Sequence, residues 1–427
     1  MSDQGPIMRV SEKGNLLFNT GVLTGSNIFI KIAAYIYFWI IAREFSAEQF
    51  GVYALLITSY LLMELSASFG FDKIIIRELS RTEEDQANAA YFFSLFVRAG
   101  LAIAAFMACL ATYRLLYADV LVLHALEVLC VLGAVFPLIA SRSIESYFTA
   151  LEKMHIPATS QLVERLVILA AAGLVPARII GFRGFLVGFF LAVLTRSLIL
   201  VTLFPWDTWN RRSALTPKRR RALFSQAAQV ALVEISAIIY FRVDVLMLSK
   251  MTDFTSTGMY QVAYKIFDFF ITLFAGFLIA VFPKISREGH QAPVGRYLGM
   301  GMPLMTVLAM VVIYFRFEIL AFFQPAFIPA ASALIFLMLS LPLVFCNSLL
   351  ANYLVAARRI GMLVRLALVL VPLNIGLNFF LIPRFGIEGA ASATLLCELC
   401  LAALFVLGLT NALPWNQPTQ LKDVRSK

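Results

Sequence analysis

Several polar and charged residues recur at helical spacing inside stretches that are otherwise apolar. Asn27, Lys31 and Tyr35 fall every four residues. Tyr53, Tyr60, Glu64 and Ser68 share one helical face, as do Tyr260, Tyr264, Asp268 and Thr272, with Lys265 three before Asp268. A further stretch carries Glu234, Arg242 and Asp244, and another holds Arg98. Each type suggests a chemistry. Lys31, Arg98, Arg242 and Lys265 can meet a phosphorylated anion, arginine by paired hydrogen bonds. Asn27, Tyr60 and Tyr264 suit sugar faces and hydroxyl groups. Glu64, Asp244 and Asp268 can hold a coupling proton or sodium ion, as carboxylates in membranes often do.

Plainer readings stand beside these. Lys265 and Asp268 also fit a simple internal ion pair. Arg242 and Asp244 lie near one end of their helix, within reach of the membrane interface. Glu164, Arg165, Arg196 and Arg316 read as structural or interfacial. Three histidines (His124, His155, His290) and five scattered cysteines supply no Ser–His or Cys–His pair and no metal-site spacing. Cys397-x-x-Cys400 lies in an apolar run and reads as packing. Neither catalysis nor a resident cofactor is expected, beyond an ion gradient.

The elements that position these groups follow from composition. Of 427 residues, 61% are hydrophobic and only 14% charged, where a soluble domain carries about 25% charged residues. The mean hydropathy is +0.85. Length alone suggests two or three soluble domains, but no soluble fold hides that much apolar surface. The expected class is all-α and polytopic. Crossing a bilayer takes roughly 20 apolar residues. Twelve stretches qualify: 16–42, 51–70, 89–113, 120–140, 159–175, 185–204, 224–249, 259–282, 298–323, 331–355, 362–382 and 387–409. The first exceeds a signal-peptide core and precedes no cleavage site, so it is expected to stay.

Basic residues test the count. With the N-terminus inside, the inner segments collect most of them, six in 211–221 alone: Arg211, Arg212, Lys218, Arg219, Arg220 and Arg221. Arg142 also falls on an inner segment, whereas no outer segment carries more than two. Both termini are therefore expected in the cytoplasm. The run explains much of the net charge of +10. It reads as a loop touching anionic lipid rather than a nucleic-acid patch.

The basic segment divides the chain into an expected organisation of 1–15, a six-helix bundle 16–204, a linker 205–223, a second bundle 224–410 and a tail 411–427. The halves superpose in sequence. Phe50-Gly51-Val52-Tyr53 matches Thr257-Gly258-Met259-Tyr260, 207 residues on. Pro137 matches Pro342, and Gly181-Phe-Arg-Gly184 matches Gly386-Ile-Glu-Gly389, at nearly the same offset. Six spans per half is even, so both halves enter from one side and the repeat is parallel.

The segments Asn15-Leu-Leu-Phe-Asn-Thr-Gly21, Ala42-Arg-Glu-Phe-Ser46 and Glu48-Gln-Phe-Gly-Val-Tyr53 resemble the polysaccharide repeat-unit flippases of the Wzx type. So do Phe241-Arg-Val-Asp-Val-Leu-Met-Leu248, Phe282-Pro-Lys-Ile-Ser286, Asn374-Ile-Gly-Leu-Asn378 and Leu381-Ile-Pro-Arg-Phe-Gly-Ile-Glu-Gly-Ala-Ala391. The resemblance implies two six-helix bundles around a central cavity, shared with the MATE exporters and the lipid II flippase MurJ. It further implies passage of an undecaprenyl-pyrophosphate-linked oligosaccharide across the bacterial cytoplasmic membrane, for surface polysaccharides such as O-antigen. Membrane lipids, and polymerase and chain-length proteins of the same pathway, are the implied partners; nucleic acid is not. Two alternatives remain: a cation-coupled small-molecule exporter of MATE type, and a membrane glycan polymerase or ligase, which would want a larger outer loop.

Overall fold

The computed structural model describes residues 13–209, 213–288, 293–357 and 359–409. Most of the segment 1–15, the tail 411–427, Arg211, Arg212, His290 and the side chain of Asn27 lie outside the described residues.

Among the described residues every regular element is helical. In order these are α1 (Lys13–Glu44), α2 (Ala47–Ser68), α3 (Phe71–Arg81), α4 (Glu84–Leu116), α5 (Ala118–Leu123), α6 (Ala125–Gly133), α7 (Val135–Ala150), α8 (His155–Gly173) and α9 (Phe182–Leu203). Then come α10 (Pro217–Met251), α11 (Phe254–Glu288), α12 (Val294–Tyr314), α13 (Arg316–Phe323), α14 (Ala331–Ala356) and α15 (Ile360–Leu409). Among the described residues eight helical segments are long and apolar enough to cross a membrane, and the last, 361–407, covers two expected spans. Large apolar side chains such as Val122 and Ile279 are largely exposed on the surface. Water would penalise that surface heavily, whereas lipid tails do not. The chain is a multi-pass membrane protein.

It packs as two compact units, Met1–Glu44 with Ser59–Glu234, and Phe45–Thr58 with Ile235–Lys427. The basic segment expected as a linker packs within the first unit, and α2 contributes to both. In the first unit Phe71, Tyr91, Phe92, Tyr147 and Phe204 form an aromatic core with Leu215 and Ala227. In the second, Leu350, Leu354, Leu366, Leu370 and Phe405 cluster between α14 and α15.

Local chemistry explains the breaks. Phe69 and Gly70 both have positive φ, 46° and 69°, which ends α2 and starts α3. Glycine suits that conformation. A Cβ at Gly70 would also meet the Ala227 carbonyl oxygen at 2.6 Å, so the site admits no side chain. α10 opens on Pro217, whose missing N–H costs nothing in a first turn; Thr216 Oγ1 accepts from Arg219 N at 3.3 Å there. α15 is interrupted at Gly386 (φ 53°, ψ −126°), the turn between the expected eleventh and twelfth spans.

One expectation is corrected. The stretch 120–140 is not a single helix but α5, α6 and the start of α7, broken at His124 (φ −127°) and at Ala134. The break gives α6 its own N-terminus, with Glu127 in the first turn where the helix dipole favours negative charge. Glu127 is buried and accepts from Arg183 Nε at 3.1 Å, with His124 Nδ1 at 3.5 Å. Arg142, expected in an inner loop, belongs to α7.

Candidate functional site

The first unit holds charge in its interior. On α2, Glu64 is 8% exposed and pairs with Arg142 of α7. Arg142 Nη1 also lies 3.6 Å from Asp72 Oδ2 of α3. Asp72 Oδ1 receives Arg98 Nη1 of α4 at 2.7 Å and Ser146 Oγ at 3.0 Å. Arg98 is fully buried, donates to Ser143 Oγ at 3.3 Å and stacks its guanidinium over Phe71 at 5.8 Å. Its Nε and Nη2 have no hydrogen-bond partner among the described residues. Four helices thus converge on one chain, Glu64–Arg142–Asp72–Arg98.

A second network lies one helical turn along α7. Arg196 of α9 pairs with Glu145 at 2.6 Å and with Glu164 of α8 at 2.6 Å. Arg165 Nη2 stands 3.6 Å from Glu164, and Gln161 donates to Glu145 Oε2 at 3.3 Å. Arg142 and Glu145 are three apart on α7, so a single helix feeds both networks. The acids Glu64, Asp72, Glu145 and Glu164 balance Arg98, Arg142, Arg165 and Arg196. Charges removed from water need such partners.

The remaining expected residues of this unit differ in setting. Lys31 sits near the middle of α1, is exposed, and makes no ion pair among the described residues. Tyr60 is buried with its ring edge on Phe189 at 5.4 Å.

The second unit is built differently. Asp244 of α10 is buried; Tyr260 of α11 donates its hydroxyl to it, and Val245 N donates at 2.8 Å. Glu398 of α15 is also buried. Tyr240 Oη donates to its Oε1 at 2.8 Å, and Asn347 Nδ2 of α14 to its Oε2 at 2.7 Å. Neither carboxylate has a salt bridge among the described residues. Both line one small cavity with Tyr240, Tyr264, Asn374 and Thr394; its volume is about 10 Å³, room for one water-sized particle. Arg242 lies over the Tyr264 ring at 5.4 Å, which places two expected residues together. Lys265 and Asp268 form an i,i+3 pair at 2.9 Å.

The structure therefore groups Glu64 with Arg98 through Arg142 and Asp72, and Arg242 with Asp244 and Tyr264. Sequence reasoning missed Asp72, Arg142 and Glu398. Glu398 carried the signal already used elsewhere, a lone charge inside an apolar span. Arg142 did not, because positive charge beyond an apolar stretch reads as loop. Among the described residues no group of three or more His, Cys, Asp or Glu is placed to hold a metal ion.

Comparison with known proteins adds what geometry alone does not. Residues 16–288 match a family model described as polysaccharide biosynthesis protein. No curated protein sequence matches. Among solved structures, the lipid II flippase MurJ in an inward closed conformation superposes with a TM-score of 0.76 at 14% identity, covering 91% of this chain and 87% of that one. An inward-facing multidrug resistance MATE family transporter of the MOP superfamily gives 0.74 at 12% identity, covering 91% and 96%. A MOP superfamily transporter from Pyrococcus furiosus gives 0.61 at 12% identity, covering 95% and 96%. At these identities the likeness is one of fold.

Proposed function

We propose that this chain, which belongs to the polysaccharide biosynthesis protein family, flips an undecaprenyl-pyrophosphate-linked oligosaccharide from the inner to the outer leaflet of a bacterial cytoplasmic membrane. In this reading both termini are cytoplasmic, transport proceeds by alternating access, and the product passes to the polymerase and chain-length proteins of the same pathway. The observation that carries it is Lys31. Centring a charge in a span costs ~2.5–3.5 kcal/mol on insertion scales, so such a group faces water or an anion. Lys31 bears its charge at mid-helix with no carboxylate partner among the described residues, which suits a pyrophosphate. Arg242 and Lys265 are the corresponding cations of the second unit. Arg98, Tyr60 and Tyr264 are buried in this conformation and would meet cargo only in another state of the cycle. Asn27 completes the expected sugar contacts. Asp244, joined now by Glu398, is assigned to the coupling proton or sodium ion. Glu64 and Asp268, each already paired to a cation, rank behind them.

The test is deletion of the gene in its native host followed by extraction of lipid-linked oligosaccharides. The expected result is accumulation of an undecaprenyl-pyrophosphate repeat unit with loss of surface polysaccharide, and unchanged drug susceptibility. Normal surface polysaccharide with new sensitivity to cationic drugs would instead establish the MATE-type exporter.

A further inference from the structure

The segment between α9 and α10 builds a groove that the transport reading leaves unused. It passes through a 3-10 turn, Trp206–Trp209, and Ser213 N then donates to the Asp85 carbonyl at 3.2 Å. That bond pins Ser213 to the first turn of α4. Beside it lies a groove of about 420 Å³, walled by Phe92, Phe93, Phe96 and Leu215 and edged by Ser213 and Arg220.

The lining of this groove is of two chemistries. Ser213 Oγ is buried without a hydrogen-bond partner among the described residues. Arg220, on the same groove, is exposed and makes no ion pair among the described residues, whereas its neighbour Arg219 is held by Glu78. Lys218 and Arg221 are exposed as well, and no carboxylate lines the groove among the described residues. The rest of the lining is apolar. Phe96 is 60% exposed. It stands eleven residues along α4 from Asp85, a rise of about 16 Å. Trp209 packs on Phe92 at 4.7 Å and on Phe96 at 5.9 Å. Trp206 and Trp209 are themselves exposed, as tryptophan is at the headgroup level of a bilayer.

We propose that this groove binds an anionic phospholipid of the surrounding leaflet. Arg220 and Ser213 Oγ donate to its phosphate, and an acyl chain runs along Phe92 and Phe96. A hydroxyl beside a guanidinium is a suitable donor pair for phosphate oxygens. A soluble phosphate would leave the phenylalanine wall unused. A zwitterionic headgroup would bring its ammonium against the cationic rim, whereas an anionic one is attracted to it. The ligand is a resident lipid, not the transported one, so the proposal stands or falls separately from the flippase reading.

The test uses the full-length protein in neutral detergent, titrated with dioleoyl-phosphatidylglycerol or dioleoyl-phosphatidylcholine. Bound lipid is counted by native mass spectrometry, with thermal unfolding as a second readout. Phosphatidylglycerol is expected to be retained and to raise the Tm, and phosphatidylcholine to do neither. The double variant Ser213→Ala, Arg220→Gln should bind phosphatidylglycerol about tenfold more weakly. Its lipid-free Tm should be unchanged, since neither side chain has a protein partner among the described residues. Arg221→Gln, outside the groove, should bind normally. Equal loss in Arg221→Gln would reduce the effect to diffuse surface charge and overturn the site, as would equal retention of the two lipids. Displacement by undecaprenyl pyrophosphate at equal concentration would also overturn it, assigning the groove to the cargo.

Discussion

Gly51 and Gly258 occupy the two sides of one helix crossing in the second unit. A Cβ on Gly51 would overlap the carbonyl oxygen of Phe254, and a Cβ on Gly258 would overlap that of Ala47. The residues exchange roles in pairs. Ala47 and Phe254 are 207 apart, as are Gly51 and Gly258. Reciprocal contact between residues at one constant offset is what a local two-fold axis produces. The first turns of α2 and α11 are thus equivalent places in the repeat, brought face to face. Small residues permit so close an approach.

Replacing either glycine should separate these helices. Gly51→Ala or Gly258→Ala is expected to cost about 1–3 kcal/mol, the usual range for overpacking. The double variant should cost less than the sum, because one displacement relieves both clashes. Thermal unfolding in detergent measures this, and full additivity would show the sites to be independent.

Arg196 holds two buried carboxylates, and its own side chain is 8% exposed. Arg196→Leu removes the closest cation from Glu145 and leaves Glu164 only Arg165 at 3.6 Å, and should destabilise by about 3–5 kcal/mol, the cost of breaking a buried pair from one side. Adding Glu145→Gln and Glu164→Gln should recover most of that loss. If the triple variant is as unstable as the single one, packing rather than charge accounts for the effect.

Lys31→Glu should abolish surface polysaccharide while membrane levels of the protein stay normal. Lys31→Arg should retain part of the activity, since the charge survives. Immunoblotting of membranes beside polysaccharide staining separates the two readouts. Wild-type polysaccharide in Lys31→Glu would remove Lys31 from the cargo path.

Asp244 and Glu398 accept hydrogen bonds from neutral groups, so either can gain or lose a proton without breaking a salt bridge. Asp244→Asn and Glu398→Gln should therefore insert normally, yet lose the response of transport to an imposed proton or sodium gradient. Proteoliposomes with a fluorescent lipid-linked glycan give that response directly. Unchanged gradient dependence in both variants would place coupling elsewhere.

Much of the frame was legible from residue order. The apolar stretch 16–42 lies inside α1, and 362–382 with 387–409 make up α15, separated at Gly386. Apolar run length suffices there because hydrocarbon thickness sets helix length. The Gly51–Gly258 offset was legible too, but that the two glycines touch was not. The break at His124 left no trace, since neither proline nor glycine marks it. The polar networks were read least well. Arg98 looked like a cavity cation until α3 supplied Asp72 and α7 supplied Ser143. Partnership across helices is a three-dimensional fact that spacing along one helix does not encode.

The pairing of Glu164 with Arg196 bears on how the chain enters the membrane. α8 brings Glu164 and Arg165 into an apolar environment, and it is absent from the segments apolar enough to cross by composition alone. On α8 itself Glu164 has only Arg165, at 3.6 Å; its closer partner, Arg196 at 2.6 Å, arrives on α9, which is synthesised afterwards. α8 is therefore expected to settle in the membrane only together with α9, as a hairpin. Nascent chains truncated after Gly173 should leave α8 extractable by carbonate, and extension past Leu203 should lock it in place.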